Sequence, residues 1–299
     1  MKLTVQGRDI TLNNPDKPLW PDIGVTKAEY LKALAGLAPY LIPHTAGKPL
    51  TCLRYPHGVG DEFFYQKRPP NGAPDWVKTM LADGDEFVDM DSLPTLVWLG
   101  TMAALEFHTP FGDAAGTLTA LVFDLDPSEG QTFEDVRECA LIVHETLAQL
   151  GVASYAKTSG ASGLQVYIPT RRMTFAEGRR VNLFFGQYFA SKHPEKITIE
   201  RIVKNRGRKL YFDYLQMGPG KSIVSVYSPR AVPCGAISMP VKWDELAHGA
   251  MPCDFNLTNA VQRLEKTGDL FAPILAEGMA IPALEEILKR DNVLRLVPT

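Results

Sequence analysis

The chain has 299 residues, of which 45% are hydrophobic, and a formal net charge of −3. This length permits one large domain or two closely packed lobes with a sizeable core. Its apolar runs, such as residues 118–125, are broken by a charge well short of the roughly 20 residues of a membrane span, which argues against a membrane-spanning protein. The N-terminus meets Lys2 and Arg8 before any long apolar segment, so we expect no secretory signal and a cytoplasmic location.

The cysteines are few and scattered. They contain no Cys-x-x-Cys pair and lie at Cys52, Cys139, Cys234 and Cys253. A zinc site or a disulfide framework is therefore not expected. We predict reduced and mostly buried thiols.

Positive charge is concentrated in one segment although the net charge is slightly negative. Five of the nine residues from Arg201 to Lys209 are Lys or Arg. The negative sum does not suggest a nucleic-acid binder, but a local cluster of cations creates an attractive field that the sum conceals.

The first third of the chain mixes helix and turn signals. Thr26, with Glu29 three positions later, has the pattern of a capping box, which predicts a helix that begins here and ends before Pro43. Proline and glycine then dominate residues 56–75 and indicate turns.

From about residue 117 strands and helices alternate, as in a layered α/β unit. Strands are predicted over residues 118–124, 153–157, 164–169, 209–215 and 222–227. A first helix follows Thr132 and has an apolar face formed by Val136, Cys139, Ala140, Val143 and Leu147. A second helix follows Thr174 and ends near Pro194. The order β-α-β-β-α-β predicts a small sheet with two helices on one face.

Three carboxylates mark the candidate site. Asp124 and Asp126 are two residues apart at the end of a strand, so they point to the same side, where two bare anions are costly without a cation between them. A strand end that turns into solvent is the alternative. Asp213 interrupts another apolar strand, and three such groups in one sheet suit Mg²⁺ or Mn²⁺. A pair of these ions can activate a hydroxyl and stabilise a pyrophosphate leaving group, as in nucleotidyl transfer.

A phosphate pocket is predicted beside these carboxylates. The segment 157–163 combines hydroxyls with glycine amides in one turn and can form an anion-binding nest, although most such loops are only turns. Cationic side chains suited to phosphate follow at Arg206, Lys221 and Arg230. Taken alone, each of the three is more often a solvated surface charge.

Taken in order, these and other segments resemble one family, the polymerase domain of bacterial DNA ligase D, which belongs to the archaeo-eukaryotic primase superfamily. The match runs through nearly the whole chain. The segments that carry it are Asn14-Pro15-Asp16-Lys17-Pro18-Leu19-Trp20-Pro21, Thr26-Lys27, Arg54-Tyr55-Pro56-His57-Gly58, Phe63-Phe64-Tyr65-Gln66-Lys67, Leu105-Glu106-Phe107-His108, Asp124-Leu125-Asp126-Pro127, Lys157-Thr158-Ser159-Gly160, Asp213-Tyr214-Leu215-Gln216 and Tyr227-Ser228-Pro229-Arg230.

The resemblance implies an α/β (α+β) primase-polymerase fold. In that fold an RRM-like catalytic sheet with two helices packs with an N-terminal α/β lobe. A single domain over residues 1–299 is expected, with an N-terminal lobe over about 1–105 and a catalytic lobe over about 106–299.

The resemblance also implies roles for individual residues. The catalytic, metal-binding carboxylates would be Asp124, Asp126 and Asp213. An active-site histidine and residues around the triphosphate would be His108, Ser159, Arg206 and Arg230. Lys17 and Lys27 match a lysine pair that holds the 5′-phosphate at the far side of a DNA gap or break. Phe63 and Phe64 fall where an aromatic ring stacks on the template, with burial in the core as the alternative for each.

Gln165 departs from the family pattern. Many members have histidine at the end of Ser-Gly-x-x-Gly-Leu-His, whereas some Gram-positive members resemble this chain in having glutamine. An amide can donate a hydrogen bond to a phosphate oxygen but cannot become a cation, so Gln165 is kept as a nucleotide-binding candidate and a weak or specialised polymerase activity stays open.

The activity implied is template-directed extension of DNA ends and filling of short gaps in non-homologous end joining. A preference for ribonucleotides, two Mn²⁺ or Mg²⁺ ions, and action in the bacterial nucleoid are implied with it. The expected partners are DNA ends or gaps with a 5′-phosphate, nucleoside triphosphates, Ku and a DNA ligase, since the sequence leaves no room for a ligase or nuclease motif.

Two other functions are compatible with parts of the pattern. A haloacid-dehalogenase-type phosphotransferase also has a strand that ends in Asp-x-Asp, although it would need a further acidic pair late in the chain. A DNA-end-binding module with weak or lost polymerase activity is suggested by Gln165. Retention of three like charges argues against the second alternative.

Overall fold

The computed structural model describes residues 1–113, 115–276 and 278–289. The chain divides into two compact units. Unit 1 comprises Met1–Ala114, Ser222–Met239 and Pro252–Asp269. Unit 2 comprises Ala115–Lys221, Pro240–Met251 and Leu270–Thr299.

In the described residues the strands form three two-stranded sheets and two larger sheets. Those of unit 1 are β1 (Lys2–Val5), β2 (Arg8–Thr11), β3 (Pro18–Trp20), β4 (Val25–Thr26), β5 (Thr51–Arg54), β6 (Phe64–Gln66), β7 (Thr79–Ala82), β8 (Asp85–Val88), β9 (Ala104–Pro110) and β15 (Ser222–Val224). Those of unit 2 are β10 (Leu118–Asp126), β11 (Tyr155–Thr158), β12 (Leu164–Met173), β13 (Ile197–Thr198), β14 (Leu210–Phe212) and β16 (Pro240–Val241).

The α-helices also belong to one unit or the other. Unit 1 has α1 (Lys27–Thr45), α2 (Leu93–Thr101) and α6 (Ala260–Thr267). Unit 2 has α3 (Phe133–Gln149), α4 (Phe175–Lys192), α5 (Trp243–Ala247), α7 (Ala272–Leu275) and α8 (Pro282–Lys289). In the described part of the chain no helix is long and apolar enough to span a bilayer.

Unit 2 is built on a six-stranded sheet in the order β13-β14-β10-β12-β11-β16. All neighbouring strands in it are antiparallel except β13 and β14. The chain passes through β10, α3, β11, β12, α4 and β14, so the predicted β-α-β-β-α-β order is confirmed. The central strand β10 is almost wholly buried, which gives the site a rigid base.

The two long helices of unit 2 begin where the sequence predicted. Thr132 and Thr174 each form a capping box with the acid three residues later, which satisfies amides that a helix start leaves without partners. The predicted apolar face of α3 is buried. On α4, Phe185 packs against Phe123 of β10, with ring centroids 5.1 Å apart.

Several predicted element boundaries need correction. Helix α1 begins at its predicted capping box but continues through Pro43 to Thr45. Pro39 and Pro43 each remove one backbone donor from the helix. The buried side of the helix, which includes Leu37 and Leu41, keeps α1 packed against the rest of unit 1. Strand β14 ends at Phe212, so Asp213 lies one residue beyond the strand rather than in its middle.

Unit 1 contains a four-stranded sheet in the order β15-β9-β5-β6. Because β9 pairs with β5 and with β15, residues 106–113 and 222–239 group with the N-terminal residues. This division differs from the predicted lobe boundary near residue 105. The strand predicted over 222–227 is accordingly a member of this sheet and not of the sheet that contains β10.

The cysteine prediction is wrong for one pair. Cys234 and Cys253 form a disulfide, with Cα atoms 5.9 Å apart. Cys52 and Cys139 are free and buried, as expected. The spacing of 19 residues gave no signal for the bond, because it depends on backbone pairing in which Ile237 N donates to Phe255 O at 2.7 Å.

Close packing of α4 on β10 depends on Gly178. A Cβ there would lie 2.6 Å from both Leu118 Cδ1 and Met217 Cε, and both of these side chains are fully buried. We predict that Gly178→Ala lowers the free energy of unfolding by roughly 1–2 kcal/mol, because overpacking outweighs the better helix propensity of alanine. Urea unfolding measures it.

Ser191→Ala, at an exposed position of the same helix, is the matched control and should change stability little. A Gly178→Ala protein as stable as the wild type would show that this contact is not tight.

Candidate active site

Asp124 and Asp126 lie on the face of β10 that points away from α4. Side chains alternate along a strand, and Phe123, directly before Asp124, packs against α4. Asp124 is buried, with 6% of its surface exposed, and Asp126 is partly exposed. Asp213 joins them because its backbone N donates to Asp124 O at 3.0 Å. Unit 2 therefore gathers the three predicted carboxylates where β10 and β14 meet.

A row of side chains crosses three neighbouring strands and ends at Asp124. Register places Lys157 of β11 opposite Gln165 of β12, and Gln165 opposite Asp124 of β10. Lys157 Nζ donates to Gln165 Oε1 at 2.8 Å, and Gln165 Nε2 donates to Asp124 Oδ1 at 2.9 Å. The ammonium fixes which end of the amide faces the carboxylate. Gln165 therefore orients Asp124, while its contact with a nucleotide stays a prediction.

Burial and like charge raise the pKa of both Asp124 and Asp126. For Asp124 burial is the largest cause, followed by repulsion from Asp126, while the bond from Gln165 opposes the shift. For Asp126 burial again leads and repulsion from Asp213 follows. The anionic forms therefore repel one another, as expected where a cation binds.

The carboxylate oxygens suit a hard divalent ion, but they are not arranged as a complete coordination site. Carboxylate oxygens are the ligands that Mg²⁺ and Mn²⁺ prefer. Asp213 Oδ1 accepts hydrogen bonds from Leu215 N at 2.9 Å and from Tyr211 Oη at 3.2 Å. Across residues 1–113, 115–276 and 278–289, no three Asp, Glu, His or Cys side chains are grouped to hold a metal ion. The metal assignment of the three aspartates stays a prediction.

Arg206 brings the basic segment to the carboxylates. Its guanidinium lies over the ring of Tyr211, 3.6 Å from the centroid, and Tyr211 is the cross-strand partner of Asp126. The side-chain Nε donates to Glu200 O at 2.8 Å. The positive charge of Arg206 lowers the pKa of Asp126 and so opposes the effect of burial.

In the predicted anion-binding loop, the side chain of Ser159 accepts hydrogen bonds from amides of the loop itself. Ser159 Oγ accepts from Ala161 N at 3.2 Å and from Gly163 N at 3.0 Å, so two amides of the loop are used internally. A Cβ at Gly163 would lie 3.0 Å from Asp126 Oδ1, which places the loop directly beside the carboxylates. Lys221 is less well placed, since it is exposed and its Nζ donates to Leu215 O at 2.9 Å.

Unit 1 brings His108 and Arg230 together through a residue to which sequence reasoning gave no role. Glu106 is 3% exposed, and its Oε2 lies 2.9 Å from His108 Nε2. Its Oε1 lies 3.2 Å from Arg230 Nε, an ion pair, and accepts from Ala231 N at 3.0 Å. An acid two residues before a candidate histidine on an apolar strand was the available signal.

Lys17 and Lys27 are brought together as predicted. The strands β3 and β4 pair between them, and Lys27 N donates to Lys17 O at 2.8 Å. Lys27 is only 8% exposed, and its Nζ donates to Asn13 O and Thr101 O. Burial, followed by the charges of Lys17 and Arg54, lowers the pKa of Lys27. Three cations thus share one region of unit 1.

Phe63 and Phe64 are exposed, which excludes the alternative that they are core residues. Phe63 stacks on Tyr55 with ring centroids 5.1 Å apart and also contacts Tyr65 edge-on. Phe64 instead packs with Arg54, whose guanidinium lies 5.0 Å from the ring centroid. Phe64 begins the edge strand β6 and Phe63 directly precedes it, and their different ring partners place the two side chains on opposite sides of the chain.

The chain is similar to proteins of known function. A LigD protein of Bacillus subtilis, bifunctional in non-homologous end joining, is 34% identical over 85% of this chain and 42% of its own length. A multifunctional LigD protein of Mycolicibacterium smegmatis is 32% identical over 90% of this chain and 36% of its own length. The chain thus spans about two-fifths of the length of these relatives.

A solved structure has the same architecture. The polymerase domain of Mycobacterium tuberculosis ligase D in complex with DNA matches with a TM-score of 0.82 and 29% identity, over 90% of this chain and 99% of that one. This match confirms the predicted fold and excludes the haloacid-dehalogenase alternative. The family model for the LigD primase-polymerase domain matches residues 26–271. The chain therefore belongs to the LigD primase-polymerase domain family.

Proposed function

We propose that this chain is a template-directed nucleotidyl transferase that extends DNA ends and fills short gaps during non-homologous end joining. The observation that carries the proposal is the position of Asp124, Asp126 and Asp213 where β10 meets β14, in a member of this family. Buried carboxylates that repel one another lower stability, so their retention suits a site that binds cations.

In this proposal the three aspartates would hold two Mn²⁺ or Mg²⁺ ions. The ions, when bound, would lower the pKa of the attacking hydroxyl and stabilise the pyrophosphate leaving group. Gln165 and Lys157 keep the carboxylate of Asp124 in one orientation. The residues proposed to bind the triphosphate are His108, Ser159, Gln165, Arg206, Lys221 and Arg230.

DNA binding is part of the proposal because the matching ligase D polymerase domain was solved in complex with DNA. The exposed rings of Phe63 and Phe64 are suited to base stacking, which tolerates any sequence. Ku and a DNA ligase are the proposed protein partners, and the substrate would be cytoplasmic chromosomal DNA. An end-binding module without polymerase activity is the alternative, and the assay below separates the two.

The first prediction concerns the carboxylates. Asp124→Ala with Asp126→Ala should lower Mn²⁺-dependent primer extension on a gapped duplex at least about 10³-fold, because several kcal/mol of charge stabilisation are removed. Glu129→Ala, an exposed acid just after β10, is the matched control and should keep full activity. Near-normal extension by the double variant would contradict the assignment, and a wild type that binds the duplex without extending it would favour the end-binding module.

The same residues allow a folding control. Since the pKa of Asp124 is raised in the folded state, ionisation weakens folding as pH rises, and the cost is complete above the folded-state pKa. In EDTA at pH 8, Asp124→Asn should therefore melt no lower than the wild type. Mn²⁺ should raise the melting temperature of the wild type more than that of the variant.

Ribonucleotide preference follows from the family resemblance alone. We expect ribonucleotides to be incorporated more often than deoxyribonucleotides when both are offered at equal concentration on one gapped substrate. Product composition by mass spectrometry measures the ratio. A clear excess of deoxyribonucleotides would contradict this part of the proposal.

The last prediction of this section concerns Lys17 and Lys27. A downstream 5′-phosphate should strengthen the binding of gapped DNA about tenfold, because charge-assisted hydrogen bonds contribute roughly 1.5–3 kcal/mol each. Lys17→Ala with Lys27→Ala should abolish this increment. Fluorescence anisotropy on gaps with and without the phosphate measures it.

Lys32→Ala, an exposed lysine of α1, is the control for a general loss of positive charge and should keep the increment. Because Lys27 is buried, Lys17→Ala alone serves as a second variant and should lower the increment. If the double variant binds the phosphate as the wild type does, the pocket lies elsewhere.

A further inference from the structure

Glu106 is a buried acid in an otherwise apolar strand. Its neighbours in β9, Ala104, Leu105 and Phe107, are fully buried and nonpolar, and Glu106 itself is 3% exposed. A carboxylate in such surroundings is costly unless hydrogen bonds and opposite charges compensate it. The contacts that compensate this carboxylate therefore indicate its role.

Those contacts join two segments of unit 1. One carboxylate oxygen, Oε2, lies 2.9 Å from His108 Nε2. The other, Oε1, lies 3.2 Å from Arg230 Nε and accepts from Ala231 N at 3.0 Å. A single carboxylate thus bridges strand β9 and the segment 230–231, each of which has a candidate nucleotide-binding side chain.

Glu106 is held in its ionised form. Burial raises the pKa of this carboxyl, but the hydrogen bond with His108, the charge of Arg230 and the amide of Ala231 together outweigh burial and lower it. An ionised carboxylate can only accept hydrogen bonds. His108 must then have its hydrogen on Nε2, which leaves Nδ1 as the acceptor of the neutral ring.

Arg230 is held beside the same group. Glu106 Oε1 lies 3.2 Å from Arg230 Nε, and this ion pair keeps the rigid guanidinium next to the carboxylate. The segment is also fixed from its backbone, since Trp20 Nε1 donates to Arg230 O at 3.3 Å and Arg230 N donates to Ala236 O at 2.8 Å. The free rotation of a surface arginine is thereby removed.

We infer that Glu106 is a positioning residue for nucleotide binding, which fixes the tautomer of His108 and the position of the Arg230 guanidinium through one carboxylate. The inference rests on the proposed function, because it is there that His108 and Arg230 contact the triphosphate. Glu106 itself touches no substrate in this scheme. Glutamine at this position can accept at one end only, so it cannot serve both partners as the carboxylate does.

The test measures nucleotide affinity without turnover. The full chain is titrated with Mn²⁺ and a nucleoside triphosphate that has an imido group between its α and β phosphates. Glu106→Gln should weaken binding about tenfold and raise the KM for nucleotide more than it lowers kcat. In a background of His108→Ala with Arg230→Met, Glu106→Gln should have no further effect. Glu265→Gln, an exposed acid of α6, should bind as the wild type does.

Three results would overturn the inference. The first is a Glu106→Gln protein with wild-type affinity, and the second is an equal loss of affinity in the background that lacks both partners. The third needs no variant: ¹⁵N chemical shifts of the wild-type imidazole that place the hydrogen of neutral His108 on Nδ1. A wild type that fails to bind the analogue would instead overturn the proposed function, which the ¹⁵N measurement does not depend on.

Discussion

The repulsion among Asp124, Asp126 and Asp213 is the constraint on which the rest of unit 2 depends. Three acids that meet at one end of a sheet destabilise the fold unless neighbours compensate them. The neighbours do so from different directions, with Gln165 at one oxygen of Asp124 and Arg206 acting on Asp126. Helix α4 takes no part in this compensation, because it covers the opposite face of the sheet.

In unit 1 the arrangement of charges is reversed. There a buried anion, Glu106, holds candidate binding groups that are basic, whereas in unit 2 basic and amide groups hold the anions. In both units the charged side chain is backed by a second residue that limits its rotation. A polar group whose position is fixed before a ligand arrives loses less entropy on binding.

The parts that the sequence predicted depend on local interactions. The helix starts at Thr26, Thr132 and Thr174 are set by capping boxes that span four residues, and the shared side of Asp124 and Asp126 follows from strand alternation. The site residues themselves were found by family resemblance as much as by chemistry.

What was missed depends on long-range contacts. The continuation of α1 through Pro43, the bond between Cys234 and Cys253, and the bridge from Glu106 to Arg230 each need a partner distant in the chain. Gln165 was read as a phosphate donor for the same reason, since its partners Lys157 and Asp124 lie on two other strands.

The opposite orientation of Phe63 and Phe64 limits how this segment can change in length. Phe64 is held in register by pairing with Arg54, and adjacent residues of the strand alternate sides. Loss of one residue within Phe64–Gln66, with the rest of the strand kept in register, would move Phe63 opposite Arg54, so that a ring now stacked on Tyr55 would meet the guanidinium instead. Insertions and deletions in this strand should therefore be tolerated in pairs of residues and not singly.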